Sequence, residues 1–155
     1  LLIYGFGGFG HEVACLIQHI NKEKPTWNVL GYIDDGVEVG TECKYGKVLG
    51  DINTLNAWER PVAVVIAIAS TKCLELIPQK ITNPNVEFPN IIAPNVFYFD
   101  EESVTMGKGN IVTFGCRLSF APCHLRLLQK GGYKGRLSTL YFLHQIVSGS
   151  LLPNV

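Results

Sequence analysis

An α/β fold built on a parallel sheet is what this sequence predicts, and three observations predict it. Short apolar runs alternate with helix-periodic segments through residues 1–90. One run, "VAVVIAIA" (Val62–Ala69), carries no polar residue, as expected of a strand covered on both faces. The order strand, helix, strand, helix, strand, helix matches parallel strands joined by helical crossovers.

Each element has a local reason. Leu1 to Tyr4 is an apolar run that stops at glycine and reads as a buried strand. From Glu12 to Ile20, residues Val13, Leu16, Ile17 and Ile20 recur at helical spacing and make one apolar face. The stretch "NKEKP" ends that helix, because Pro25 cannot continue it. Trp27 to Ile33 ("WNVLGYI") reads as the second strand, closed by Asp34-Asp35-Gly36. Residues 36–50, "GVEVGTECKYGKVLG", read as a glycine-rich excursion. Asp51 to Trp58 reads as a short helix capped by Asp51. After the long apolar strand, Ser70 or Thr71 is placed to cap a helix running to about Ile81. "ITNPN" breaks it, and "EFPNIIAP" follows as extended chain. The α/β pattern amounts to about half of a doubly wound fold, enough for one mononucleotide site.

Composition narrows the function classes. The chain has 155 residues, 47% of them hydrophobic, and a formal net charge of zero. A neutral chain is not expected to bind nucleic acid or an acidic membrane through general electrostatics. No run approaches 18 apolar residues, so no membrane span is expected, and no secretory signal is read at the N-terminus. Cys15, Cys43, Cys73, Cys116 and Cys123 form no C-x-x-C pair. That scatter suits reduced thiols in a cytoplasm, and no metal site is expected. The charges are unevenly placed. All thirteen acidic residues lie at or before Glu102, whereas Lys108, Arg117, Arg126, Lys130, Lys134 and Arg136 follow it.

The chemistry concentrates in Gly5-Phe6-Gly7-Gly8-Phe9-Gly10, a G-x-G-x-x-G pattern with a fourth glycine. In such a loop the first glycine allows the tight turn out of the strand. The second lets backbone N–H groups approach an anion, and the third lets helix and strand pack closely. The following helix start adds unpaired N–H groups and a positive dipole end. The motif sits between a strand and a helix, the context it requires, so Gly5, Gly7, Gly8, Phe9 and Gly10 are the candidate phosphate-binding residues. His11 and Glu12 are expected in the first helical turn, Glu12 as a helix-start acid and His11 either near a ligand or in solvent. Asp34 lies 24 residues after Gly10, where an acid binds a ribose in dinucleotide enzymes. Asp34 and Asp35 are therefore candidate nucleotide contacts, with a polar turn as the alternative.

Taken in order, "LLIYGFGGFGHEVACLI", "LGYIDD", "GKVLGD", "AVVIAIAS", "NIIAP" and "MGKGNIVTFGC" resemble the sialic acid O-acetyltransferase (NeuD-type) family, over about residues 1–118. That family includes the bacillosamine-pathway amino-sugar N-acetyltransferases. The resemblance implies a Rossmann-like domain over 1–90 that holds a UDP-amino-sugar or sialic acid type substrate. It implies that a left-handed parallel β-helix of hexapeptide repeats follows, which trimerises and takes acetyl-CoA as co-substrate. Gly5, Gly7, Gly8 and Gly10 would approach the nucleotide phosphates, and Asp34 and Asp35 the uridine or the sugar. Gly50 and Asp51 match the family's "LGD" step. Such an enzyme moves an acetyl group to a sugar amine or hydroxyl in surface-glycan synthesis. A histidine acts as general base and backbone N–H groups hold the oxyanion.

Within residues 91–118 a hexapeptide register is visible, since Met106, Val112 and Leu118 sit six apart. It fails at the next steps, His124, Lys130 and Arg136. The tail 119–155 lacks the family's hexads and its His-Asp pair. His124 and His144, the histidines left as catalytic candidates, have no acid near them in sequence. Three readings of the tail stand: a reading-frame slip near residue 119, a divergent C-terminus, or a basic anion-binding extension. The alternatives for function are an NAD(P)-binding oxidoreductase or redox-sensing domain, and a non-catalytic nucleotide-sugar-binding remnant.

Overall fold

The computed structural model describes residues 1–102, 104 and 106–118. Over residues 1–87 it is a mixed α/β unit around one mostly parallel sheet. The strands are β1 (Leu2–Tyr4), β2 (Gly31–Ile33), β3 (Glu42–Cys43), β4 (Gly46–Gly50), β5 (Val62–Ile66) and β6 (Val86–Glu87). The helices are α1 (Gly8–Glu23), α2 (Ile52–Asn56) and α3 (Thr71–Lys80). The sheet order is β3-β4-β2-β1-β5-β6, parallel except for the β3–β4 hairpin. β1 is central, with Leu2 opposite both Gly31 and Val64.

Side chains alternate across this sheet because successive strand residues point to opposite faces. Ile3, Tyr32, Val48 and Val65 face α1 and meet Val13, Leu16 and Ile17. Leu2, Tyr4, Ile33, Val64 and Ile66 face the other way and meet Leu55 of α2 and Ile77 and Ile81 around α3. Each fully buried aliphatic side chain contributes about 1.5–3 kcal/mol relative to exposure. The three-layer arrangement is what buries both faces.

Four expectations are corrected. Helix α1 starts at Gly8 rather than Glu12 and continues to Glu23. Its first turn is made of the glycines themselves, and His11 and Glu12 lie one turn in, so Glu12 is not a helix-start acid. Strand β2 is only Gly31–Ile33. With β1 three residues long, only three residues find ladder partners. The preceding Trp27 is instead tied back to α1, its N–H and C=O both bonded to the Asn21 side chain at 2.9 and 2.7 Å. The stretch 36–50 is not an excursion. It holds the β3–β4 hairpin, and β4 is an inner strand parallel to β2, with Tyr32 opposite Val48. Its glycines hid a strand in which Val48 and Gly50 are the buried positions. Strand β5 ends at Ile66, three residues short, although the Ala67 N–H still bonds Tyr4 O at 2.8 Å. The caps agree with expectation: Asp51 accepts from Thr54 N–H and Ser70 from Cys73 N–H.

Beyond β6 the chain makes two parallel two-stranded pairs. β7 (Ile91–Ile92) pairs with β9 (Ile111–Val112), and β8 (Phe97–Tyr98) with β10 (Arg117–Leu118). In both pairs the partners are twenty residues apart in sequence, as with Ile91↔Ile111 and Phe97↔Arg117. Val112 and Leu118 are buried, and Met106 is half-buried. Asn110 is fully buried and is tied to Asn90. Its main-chain and side-chain N–H groups both donate to Asn90 Oδ1, at 2.9 and 3.0 Å. Ile91 and Ala93 join the same buried cluster as α1, so this segment packs on the α1 face of the sheet. The tail 119–155 lies outside the described residues.

Candidate functional site

The glycine loop leaves β1 at its C-terminal end and opens α1. Gly5 has φ +113°, and a Cβ there would lie 2.6 Å from Ala67 O, so only glycine makes this turn. A Cβ on Gly10 would run into Gly5 O. Gly5 and Gly10 thus serve the packing of strand, loop and helix. Gly7 and Gly8 are different: both are exposed, and a Cβ on either would meet nothing within 4 Å. Gly7 is the N-cap of α1, with no side-chain cap and no acidic residue in the first turn. The bare surface over Gly7 and Gly8, at the positive end of a 16-residue helix, suits an anion. Phe9 points elsewhere and packs against the α1-side core.

Both aspartates of the turn after β2 reach back to neighbouring elements. Asp34 Oδ2 accepts the Phe6 N–H at 2.8 Å, inside the glycine loop, and Oδ1 accepts the Gly36 N–H at 2.9 Å. Asp35 Oδ2 accepts the Tyr4 hydroxyl at 2.7 Å, and Oδ1 accepts the N–H of Ile52, the first residue of α2, at 2.9 Å. The two carboxylates therefore join the end of β1 and the glycine loop, the turn after β2 and the start of α2. Burial pushes the Tyr4 phenol well above its ordinary range. The hydrogen bond to Asp35 and the charges of Asp35, Asp34 and Asp51 add to the shift. The hydrogen bond from Thr54 N–H leads the causes that hold Asp51 below the usual carboxylate range.

His11 is half-buried, and its N–H donates to Gly7 O at 3.1 Å. Its ring stands edge-on to Phe6 at 5.1 Å and to Tyr32 at 5.9 Å, with Tyr45 at 6.3 Å. Its Nε2 is buried without a hydrogen-bond partner. Tyr32 is raised well above its ordinary range by burial, and a weak Cys43 Sγ contact to its hydroxyl at 3.8 Å adds to this. Lys44 caps the cluster, its Nζ 4.9 Å from the Tyr45 ring centroid.

Sequence reasoning missed Tyr4, Phe6 and Ile52 as partners of the aspartates. Tyr4 carried one readable signal, a hydroxyl at the end of an otherwise apolar strand. The main-chain groups of Phe6 and Ile52 carried none. His124 and His144 lie outside the described residues. Among the described residues no group of three His, Cys, Asp or Glu side chains is placed to hold a metal ion. No described helix is long and apolar enough to cross a membrane.

The fold resembles that of solved structures, an acetyltransferase domain among them. The acetyltransferase domain of PglB from Neisseria gonorrhoeae, in complex with acetyl coenzyme A, superposes with a TM-score of 0.57. It is 20% identical, with 71% of this chain and 50% of that chain covered. PerB from Caulobacter crescentus, in complex with CoA and GDP-perosamine, gives a TM-score of 0.60 at 19% identity, with 76% and 53% covered. The chain thus spans about half the length of these relatives, and the likeness at this identity is one of fold. Comparison with curated proteins yields no match. The N-terminal half is more specific: residues 1–81, which hold the glycine loop, both aspartates and helices α1, α2 and α3, match the PglD N-terminal domain, and the chain belongs to that family.

Proposed function

We propose that this chain is the nucleotide-sugar-binding part of a sugar acetyltransferase. The observation that carries the reading is the bare Gly7–Gly8 surface at the uncapped start of α1, within a segment of the PglD N-terminal domain family. In this reading the phosphates of a UDP-amino-sugar lie over Gly7 and Gly8. Gly5, Phe9 and Gly10 shape the loop beneath them, and Asp34 and Asp35 border the nucleoside. A sialic acid type substrate is the alternative that the sequence resemblance suggests. The GDP-perosamine bound by PerB supports a nucleotide-sugar of some base.

The parallel pairs β7–β9 and β8–β10, with Val112 and Leu118 inward, support reading residues 91–118 as the start of a hexapeptide-repeat β-helix after a domain over 1–90. In the complete enzyme such a helix would trimerise and bind acetyl-CoA. The sugar amine or hydroxyl would attack the thioester carbonyl while a histidine takes its proton, and the coenzyme A thiolate would leave. His124 and His144 are the histidines of this chain available for that role. A cytoplasmic place in surface-glycan synthesis completes the proposal.

Calorimetric titration of the full chain with a UDP-N-acetyl-amino-sugar, a GDP-amino-sugar and NADH tests it. Saturable binding of a sugar nucleotide without NADH binding is expected. Binding of NADH alone would overturn the reading in favour of a dinucleotide site.

A further inference from the structure

We propose that Asp34 is a positioning residue for the glycine loop, acting on the phosphate site through the Phe6 amide rather than through the nucleoside. The proposal rests on the reading of Gly7–Gly8 as a phosphate site and assigns Asp34 a different task within it.

The loop leaves β1 as a sequence of main-chain donors. The Gly5 N–H is used by Ile33 O at 2.8 Å. The next, Phe6 N–H, is used by Asp34 Oδ2 at 2.8 Å. A carboxylate acceptor makes this bond stronger than a neutral one. Asp34 is itself held on two sides. Its own N–H donates to Gly50 O at 2.9 Å, and its Oδ1 accepts the Gly36 N–H at 2.9 Å in an Asx turn that fixes the side chain. Both carboxylate oxygens therefore face main-chain N–H groups. The peptide that follows Phe6 leads directly into Gly7 and Gly8, which have no Cβ and no cap to hold them. Glycine is the residue most free to leave a given conformation. A loop that must present its N–H groups to an anion needs an anchor immediately before its free part, and Asp34 is that anchor.

The cost is a negative charge beside an anion site. A direct ribose contact would favour the carboxylate for a different reason, so the two roles separate by ligand. Asp34→Asn keeps the size of the side chain but puts an NH2 group against one of the two amides it now receives. The test measures the affinity of the full-length wild type and Asp34→Asn for inorganic pyrophosphate and for UDP, together with hydrogen exchange at the Phe6 amide. Asp51→Ala serves as a control that loses a carboxylate–amide bond elsewhere, because Asp51 caps α2 through the Thr54 N–H.

The expected result is a loss of at least about tenfold for both ligands by the same factor, with faster exchange at Phe6. Asp51→Ala should bind both ligands as the wild type does. Loss of UDP binding with pyrophosphate binding intact would make Asp34 a nucleoside ligand and overturn the proposal. Unchanged or tighter pyrophosphate binding by Asp34→Asn would overturn it as well. A wild type that binds neither ligand would remove the functional reading itself, a result distinct from a wild type and Asp34→Asn that bind equally.

Discussion

The Tyr4 hydroxyl and Asp35 Oδ2 lie 2.7 Å apart, joining the last residue of β1 to the turn after β2. Asp35 reaches on to the first amide of α2, so one carboxylate fixes three elements at the C-terminal edge of the sheet. Burial and the nearby acids keep the phenol protonated far beyond its usual range. A raised phenol pKa contributes stability that is fully present below the unfolded value, about pH 10. It is lost as pH rises further toward the folded value. Tyr32, raised mainly by burial, acts in the same direction. Alkaline titration followed by tyrosinate absorbance and circular dichroism should show two tyrosines ionising only with unfolding. Tyr4→Phe should cost about 0.5–1.5 kcal/mol at neutral pH and lose one such late-titrating group. Ionisation of all tyrosines near pH 10 without loss of structure would refute this.

The glycines of the loop should divide into two classes. Gly10→Ala drives a methyl into Gly5 O and should destabilise by about 3 kcal/mol. Gly8→Ala meets open space in the first turn of α1 and should leave stability equal or raise it by up to about 1 kcal/mol. It should nonetheless weaken sugar-nucleotide binding, because its methyl covers the anion surface. Thermal denaturation beside calorimetric titration separates the two effects. Equal destabilisation by both variants would contradict the division.

Asp51 caps α2 through the Thr54 N–H, and this bond lowers its pKa. A lowered carboxylate contributes stability above its unfolded pKa of about 3.9. The contribution is lost as pH falls through the folded value. Asp51→Ala should therefore lower the melting midpoint at neutral pH, and the gap from the wild type should narrow progressively below about pH 4. A gap that stays constant with pH would show that the cap carries no charge dependence.

Within the 90–118 segment the Asn110 side chain donates to Asn90 Oδ1 and Gly107 O. Asn110→Ala removes both side-chain bonds and should cost about 1–3 kcal/mol. The loss should appear as faster hydrogen exchange at Ile91 and Ala93, whose N–H groups bond Asn110 O and Val112 O. Exchange in β1 and β5 should be less affected. Uniform acceleration across the chain would mean that the segment has no separate integrity.

Much of the fold was legible because it depends on local pattern. The i, i+3, i+4, i+7 spacing from Val13 to Ile20 and the caps at Asp51 and Ser70 are read from side chains alone. The β3–β4 hairpin was not legible. Gly46 and Gly50 lack the side chains that carry a strand signal, and β4 is a strand because β2 lies beside it. The start of α1 was misplaced for a related reason. Gly8 and Gly10 have poor helix propensity, and they are helical because Gly5 and the sheet fix the entry of the chain.

The site divides along the same line. Glycine spacing marked the loop, because only an absent Cβ permits its turn and its close packing. Which glycines pack and which stay open depended on where Ala67 O and Gly5 O arrived, through contacts made by the folded sheet. Asp34 and Asp35 were recognisable as an acidic turn. Beyond the local Gly36 N–H, their partners, Phe6 N–H, Tyr4 and Ile52 N–H, lie 17 to 31 residues away, and two of these three are main-chain groups that every sequence has. Residue identity and spacing therefore determined the elements and the candidate loop, since both follow from side-chain periodicity and steric size. Only the tertiary structure decided the long-range partners of the acids and the aromatic contacts of His11. A main-chain donor becomes specific only when packing brings it within hydrogen-bonding distance.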